Sequence, residues 1–225
     1  MAKIRHLTKS RFKIALDCPN KLFYTKKGKI FTDKSVDDAF MEALAEGGFQ
    51  VGELAKCYKP GGVDVVSLNE KEALDITNVE MAKENAIIYE GAFLWNNCFV
   101  RADVVVKRGN KISLFEVKAK SYRGTDSAGM MSKSGLPNSG WKPYVYDVAF
   151  QKYIIKNAFP QCSVKAYLTL ADKDAICSVD GLNQKFFIDV VDGRKSVRVS
   201  GNVSLEALGV PLLADVDVDE MTNLI

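Results

Sequence analysis

The chain has 225 residues, 47% of them apolar and 26% charged, with a formal net charge of only +3. That composition suits one large globular domain, and no run approaches the ~20 apolar residues that span a bilayer. The first residues are basic but lack an apolar stretch and a small-residue cleavage site, so no secretory signal is read there; a cytoplasmic protein with no membrane partner is expected.

Charge is unevenly spread. Residues 1–34 hold ten Lys/Arg against two Asp, whereas residues 172–225 hold ten Asp/Glu against five Lys/Arg. A basic N-terminal segment can supply phosphate contacts, and an acidic end opposes coating of nucleic acid by the whole chain. Five cysteines (18, 57, 98, 162 and 177) are an odd number without CxxC spacing, which argues against a disulfide framework and a zinc motif. The lone His6 is expected at the surface and argues against histidine-dependent nucleophilic catalysis.

In chain order, Thr8 or Ser10 can cap a helix to about Asp17, with Phe12, Ala15 and Leu16 on one face and Cys18-Pro19 ending it. Ser35 and Asp38 resemble the start of a second helix whose apolar stripe is Val36, Phe40, Ala43 and Leu44, and Gly47-Gly48 is expected to stop it. Phe49 to Tyr58 forms a further short helix carrying Glu53. Val63–Ser67 reads as a strand after the Pro60-Gly61-Gly62 turn, and 69–84 as a helix with Ala73, Leu74 and Met81 inward. Strands follow at 86–94, 98–107 and 111–119.

Residues 121–143, with four Gly, five Ser and two Pro, form a long loop placed to close over a substrate. Pro143 opens a helix to about Asn157, on which Asp147 and Gln151 share a face, and 164–170 is a strand. The remainder holds short strand-like runs at 186–191 and 196–199, and the apolar run Leu205–Leu208. Helices, a three-strand meander, a helix and a strand predict an α/β core with a mixed sheet flanked by helices. The connection from the third strand through the 143–157 helix is long enough for a parallel crossover.

The 98–119 region carries the chemistry. Gly109-Asn110 is a two-residue hairpin signal that pairs Arg108 with Lys111 and so sets Asp103 opposite Glu116. Opposed carboxylates repel, which calls for a cation between them. Period-two alternation puts Glu116 and Lys118 on one face and Val117 on the other. Two acids and a lysine on one pleat suit a hard divalent metal and phosphate chemistry.

Arg101-Ala102-Asp103, Glu116-Val117-Lys118 and Asp147-Val-Ala-Phe-Gln151-Lys-Tyr153, preceded by Glu53 in Val51-Gly-Glu-Leu-Ala55 and by the opening Leu7-Thr-Lys-Ser-Arg-Phe-Lys-Ile-Ala-Leu-Asp-Cys-Pro19, resemble the PD-(D/E)XK nuclease superfamily, in particular its RecB-like branch with the CRISPR-associated exonucleases. The resemblance covers about residues 7–170 and leaves 171–225 as an extension within one nuclease domain, with room for a further segment in a longer chain. It implies a restriction-endonuclease-like core and Mg²⁺- or Mn²⁺-dependent hydrolysis of DNA, single-stranded or at duplex ends. Asp103, Glu116 and the Val117 carbonyl would hold the metal, with Glu53 joining directly or through water. Lys118 would orient the attacking water or stabilise the transition state, and Gln151 would order the site. The alternative is a non-catalytic nucleic-acid-binding module that kept the fold. This chain lacks the early-helix histidine of many relatives, and Ile155 stands where some carry a tyrosine. Cys18 fits the first ligand of an iron–sulfur cluster, but no C-terminal cysteine triplet follows, so no cluster is expected in this chain.

Overall fold

The computed structural model describes residues 5–25, 27, 30–31, 39–124, 129–191 and 194–225. Strand β1 (Leu7–Thr8) leads into helix α1 (Lys9–Asp17), and α2 (Lys21–Tyr24) follows. The Thr8 side chain caps α1 by accepting from the Arg11 N–H, and Cys18 closes it. Phe12 stacks on Phe150, but Leu16 is exposed, so the inward face of α1 is narrower than its apolar residues suggest. His6 is partly buried against Asn97 rather than a free surface residue.

Helix α3 (Ala39–Cys57) runs without a break through Gly47-Gly48, contrary to the stop and the separate 49–58 helix read from the sequence. A glycine ends a helix by adopting positive φ at the first non-helical position, and neither Gly47 nor Gly48 does so. The two glycines still weaken the helix by about 1 kcal/mol each. The Ser35 and Asp38 capping signal, the Val36 position and the side chains of Phe40, Ala43 and Leu44 lie outside the described residues.

Strand β2 (Val63–Asp64) is shorter than expected. Helix α4 (Glu70–Ala82) is capped by the Asn69 side chain and carries Glu70 and Glu72 in its first turn, where negative charge suits the helix dipole. Ala73 and Met81 are buried, with Leu74 packed partly against the same core. Strands β3 (Asn85–Trp95), β4 (Cys98–Arg108) and β5 (Lys111–Tyr122) form the meander. Gly109 takes φ +53 in the tight turn, and the β4–β5 register runs from Arg108↔Lys111 to Val104↔Phe115, as the turn dictates.

Helix α5 (Lys142–Ala158) has a proline in its first turn and buries Val145, Val148, Ile154 and Ile155. It returns the chain to β6 (Ser163–Asp172), which pairs parallel with β5. Ahead of α5, part of the long loop is tied down: Met130 is fully buried and Met131 bridges to Pro137. β7 (Phe186–Val191) and β8 (Arg194–Val199) make a separate hairpin, followed by the short helix α6 (Leu205–Leu208). β9 (Leu213–Asp217) and α7 (Asp219–Asn223) were not legible in the sequence.

The result is an α/β architecture with a seven-stranded mixed sheet of order β2-β3-β4-β5-β6-β9, β1 lying parallel beside β4. α4, α5 and α7 pack with the main apolar core, while Tyr89, Val104 and Phe115 form a smaller cluster on the opposite face. Among the described residues no helix is long and apolar enough to cross a membrane.

α7 is fastened to α5 by one buried cation. The Lys152 ammonium is 2.6 Å from Asp219 Oδ1, 3.0 Å from Thr222 Oγ1 and 2.8 Å from Asn223 Oδ1, and Asp219 Oδ1 also accepts from the Ala166 N–H at 2.9 Å. Removing one partner of a buried ion pair costs roughly 3–5 kcal/mol. Asp219→Ala is therefore expected to lower the melting temperature by about 6–20 °C at 2–4 °C per kcal/mol. A calorimetric shift within experimental error would show that α7 contributes nothing to the fold.

Candidate active site

Glu116 follows Phe115 on β5, and the pleat turns it toward α5, where it is fully buried. A lone carboxylate in such a place costs several kcal/mol, and the surrounding residues supply the compensation. Gln151 Nε2, one helical step from the sheet on α5, donates to Glu116 Oε2 at 2.7 Å. Lys118, two residues along β5, donates to Glu116 Oε1. The Lys9 ammonium, from the first turn of α1, lies 3.1 Å from both Glu116 oxygens. Burial opposes ionisation of Glu116, but Lys9 and Lys118 together with these hydrogen bonds hold it well below the usual carboxylate range.

Asp103 reaches the same point by a different route. The β4–β5 ladder stops at Val104↔Phe115, so Asp103 and Glu116 are not the opposed rung that register alone predicts. Asp103 Oδ2 instead accepts from the Val117 N–H at 2.7 Å, taking the place of a backbone carbonyl. Its other oxygen lies 3.5 Å from the Lys9 ammonium. The two acids thus share one ammonium, although the strands have parted between them. Burial, then repulsion from Glu116, push the Asp103 carboxyl up to about 7, against the pull of Lys9 and Lys118.

The strands part on the other side of Asp103 as well. The β3–β4 ladder skips the rung between Tyr89↔Val104 and Gly91↔Ala102, which is Glu90 opposite Asp103. Glu90 has φ +54, a strained backbone for a residue with a side chain. Burial raises its carboxyl, with Lys56, Lys9 and Arg101 opposing. No sequence signal marked Glu90; the local pattern there reads as plain strand.

On α5, the Asp147 carboxylate is fully buried, 3.1 Å from the Lys118 ammonium and 3.7 Å from that of Lys13. Among the described residues it makes no well-formed hydrogen bond, and burial followed by repulsion from Glu116 raises its carboxyl. Lys9 and Lys118 are both held charged: burial lowers them, and the surrounding acids more than reverse this.

Asp103, Val117 and Lys118 face a cleft of about 1360 Å³, whose wall also includes Glu53, Lys56, Glu90, Arg101 and Lys120. Glu53 does not join the carboxylates at Lys9. It pairs with Lys56 at 3.1 Å, and Lys56 also holds Asp64 at 2.7 Å. The structure therefore brings together Asp103, Glu116, Lys118 and Gln151, sets Val117 beside them, and leaves Glu53 on the cleft wall. Lys9, Lys13 and Glu90 are participants that the sequence did not single out; for Lys9 only its place in the opening motif pointed to it.

The fit to a divalent ion can be judged from these groups. Lys9 is a stand-in cation: its ammonium sits where two carboxylates converge. Among the described residues no third acid, histidine or cysteine completes a metal-binding cluster with them. Mg²⁺ is commonly held by one or two carboxylates with water and phosphate oxygens filling the remainder, so the pair is sufficient. Cys18 is a free thiol, partly buried. Comparison with protein-family models and with curated proteins returns no match.

Asp103 weakens the metal-free fold, because its folded-state pKa lies above its ordinary value. The cost is absent below about 3.8 and grows as pH rises toward about 7. In the presence of a chelator, Asp103→Asn is expected to melt higher than the wild type at pH 8, by about 2–4 °C for each kcal/mol relieved, and the gap should close on acidification to pH about 4. A variant that melts lower at pH 8 would show that the carboxylate stabilises the site instead.

Proposed function

We propose that the chain is a divalent-metal-dependent deoxyribonuclease on a restriction-endonuclease-like core. The observation that carries this reading is the convergence of Asp103 and Glu116, from two strands, on a single cation position at the side of an open cleft. Asp103 and Glu116 would hold Mg²⁺ or Mn²⁺, with the Val117 carbonyl alongside. A bound ion of this kind lowers the pKa of a coordinated water and offsets charge developing on phosphate.

The residues of the chain do the remainder. Gln151 fixes the rotamer of Glu116 through its 2.7 Å hydrogen bond, so the carboxylate is preorganised rather than free to swing. Lys118 presents a charged ammonium between Glu116, Asp147 and the cleft, where it can meet a phosphate oxygen or a water. Glu53, neutralised by Lys56, is assigned to the cleft wall and to water-mediated contact only. Lys120, with its ammonium over the rings of Trp141 and Tyr144, adds positive charge where a nucleic-acid backbone would run.

Labelled single- and double-stranded DNA incubated with Mg²⁺ or Mn²⁺ should be cleaved. Asp103→Ala and Glu116→Ala should abolish cleavage while DNA binding persists. Lys118→Ala should lower the rate by about 10²–10³, and Glu53→Gln by less than that. Salt-sensitive DNA binding without cleavage under either metal would favour the binding-module alternative. Equal cleavage by the wild type and Asp103→Ala would remove these residues from the reaction.

A further inference from the structure

We propose that Lys9 is a built-in counterion that occupies the divalent-cation position between Asp103 and Glu116, and that loading of the site requires its ammonium to leave. The inference rests on the metal-site reading above and concerns how that site is controlled.

Three observations carry it. First, Lys9 touches both acids rather than one alone: 3.5 Å to Asp103 Oδ1, and 3.1 Å to each oxygen of Glu116. A surface lysine that merely pairs with a nearby acid does not straddle two strands. Second, the cluster already holds as many ammoniums as carboxyl groups. Lys9, Lys13 and Lys118 face Asp103, Glu116 and Asp147. A divalent ion added while Lys9 stays would place like charges within a few ångströms of each other, a strongly unfavourable arrangement at low effective dielectric. Third, Lys9 has room to leave. It stands at the first position of α1, its side chain is a quarter exposed, and its four-carbon stem lets the ammonium swing without moving the backbone. Glu116, by contrast, keeps Lys118 and Gln151 as partners when Lys9 departs.

Apparent metal affinity is then a competition between the ion and an internal ammonium. In the metal-free protein Lys9 offsets part of the repulsion between the carboxylates. Its release on loading frees a cation at the site for an anionic ligand.

Two readouts besides activity test this. Mn²⁺ binding is followed by calorimetry, or by the electron paramagnetic resonance signal of free Mn²⁺, for the wild type, Lys9→Met and Glu116→Gln. Lys9→Met, which keeps the stem and removes the charge, is expected to bind Mn²⁺ about tenfold more tightly than the wild type, equivalent to about 1.4 kcal/mol, and Glu116→Gln should lose binding. Separately, the acetylation rate of Lys9, read from its peptide by mass spectrometry, should rise when Mn²⁺ is added to the wild-type protein, while Lys9 stays protected without metal.

Equal Mn²⁺ affinity in the wild type and a folded Lys9→Met would overturn the competition and leave the metal site standing. So would unchanged Lys9 labelling on saturation with Mn²⁺, and that measurement needs no variant to fold. Absence of Mn²⁺ binding in both the wild type and Lys9→Met would remove the metal-site reading, and this inference with it.

Discussion

Glu116 is the constraint around which the sheet and helices are arranged. A fully buried carboxylate is tolerated only when its charge and lone pairs are answered. Here the answers come from three directions: Lys9 on α1, Lys118 on β5 and Gln151 on α5. These elements are far apart in sequence, with Lys9 and Glu116 separated by 107 positions. The site therefore stitches the N-terminal helix, the meander and the crossover helix to one another. Mutations at Lys9 or Gln151 act on folding for that reason.

Electrostatic balance explains why the strands part where they do. A regular rung would set the Asp103 and Glu116 side chains face to face on one pleat. Instead the ladder stops, and Asp103 directs one oxygen at the Val117 N–H that the following rung, opposite Ala102, would have paired. The backbone donor stays satisfied, the second oxygen is left for a cation, and like charges are held by a shared ammonium rather than by each other. On the far side the same residue faces the skipped rung of Glu90, whose positive φ is a local cost. Strain and destabilised charge gathered at the wall of one cleft are the usual marks of a site kept for function rather than for stability.

What the sequence made legible were features with a local cause. Gly109-Asn110 fixed the hairpin register over five rungs, because a two-residue turn leaves no slack. Strand alternation set Glu116 and Lys118 together, and helical spacing set Asp147 and Gln151 together on α5. The misses share a different cause. Lys9 and Lys13 look like any basic first helix until the fold brings α1 against the sheet. Glu90 looks like an ordinary strand residue because a skipped rung depends on both neighbours. Gly47-Gly48 carries two strong helix-breaking residues, yet the helix continues, since propensity of about 1 kcal/mol each yields to tertiary packing. β9 is too short and too acidic to stand out, and becomes a strand only beside β6. Glu53 enters the metal set by resemblance alone, and nothing in that resemblance marks its partner: Lys56, three residues on, claims it first.

The charge count gives the proposed chemistry a further internal logic. In the metal-free cluster three ammoniums face three carboxyl groups, two of which burial and Glu116 already push toward the neutral form. A divalent ion alone would add two units of positive charge. A phosphodiester arriving with the ion brings one negative charge, and withdrawal of one lysine removes the remaining excess. Metal, substrate backbone and Lys9 are then linked by electroneutrality in a poorly solvated place, where imbalance is most costly. On that account the cleft favours ion and phosphate together over either alone.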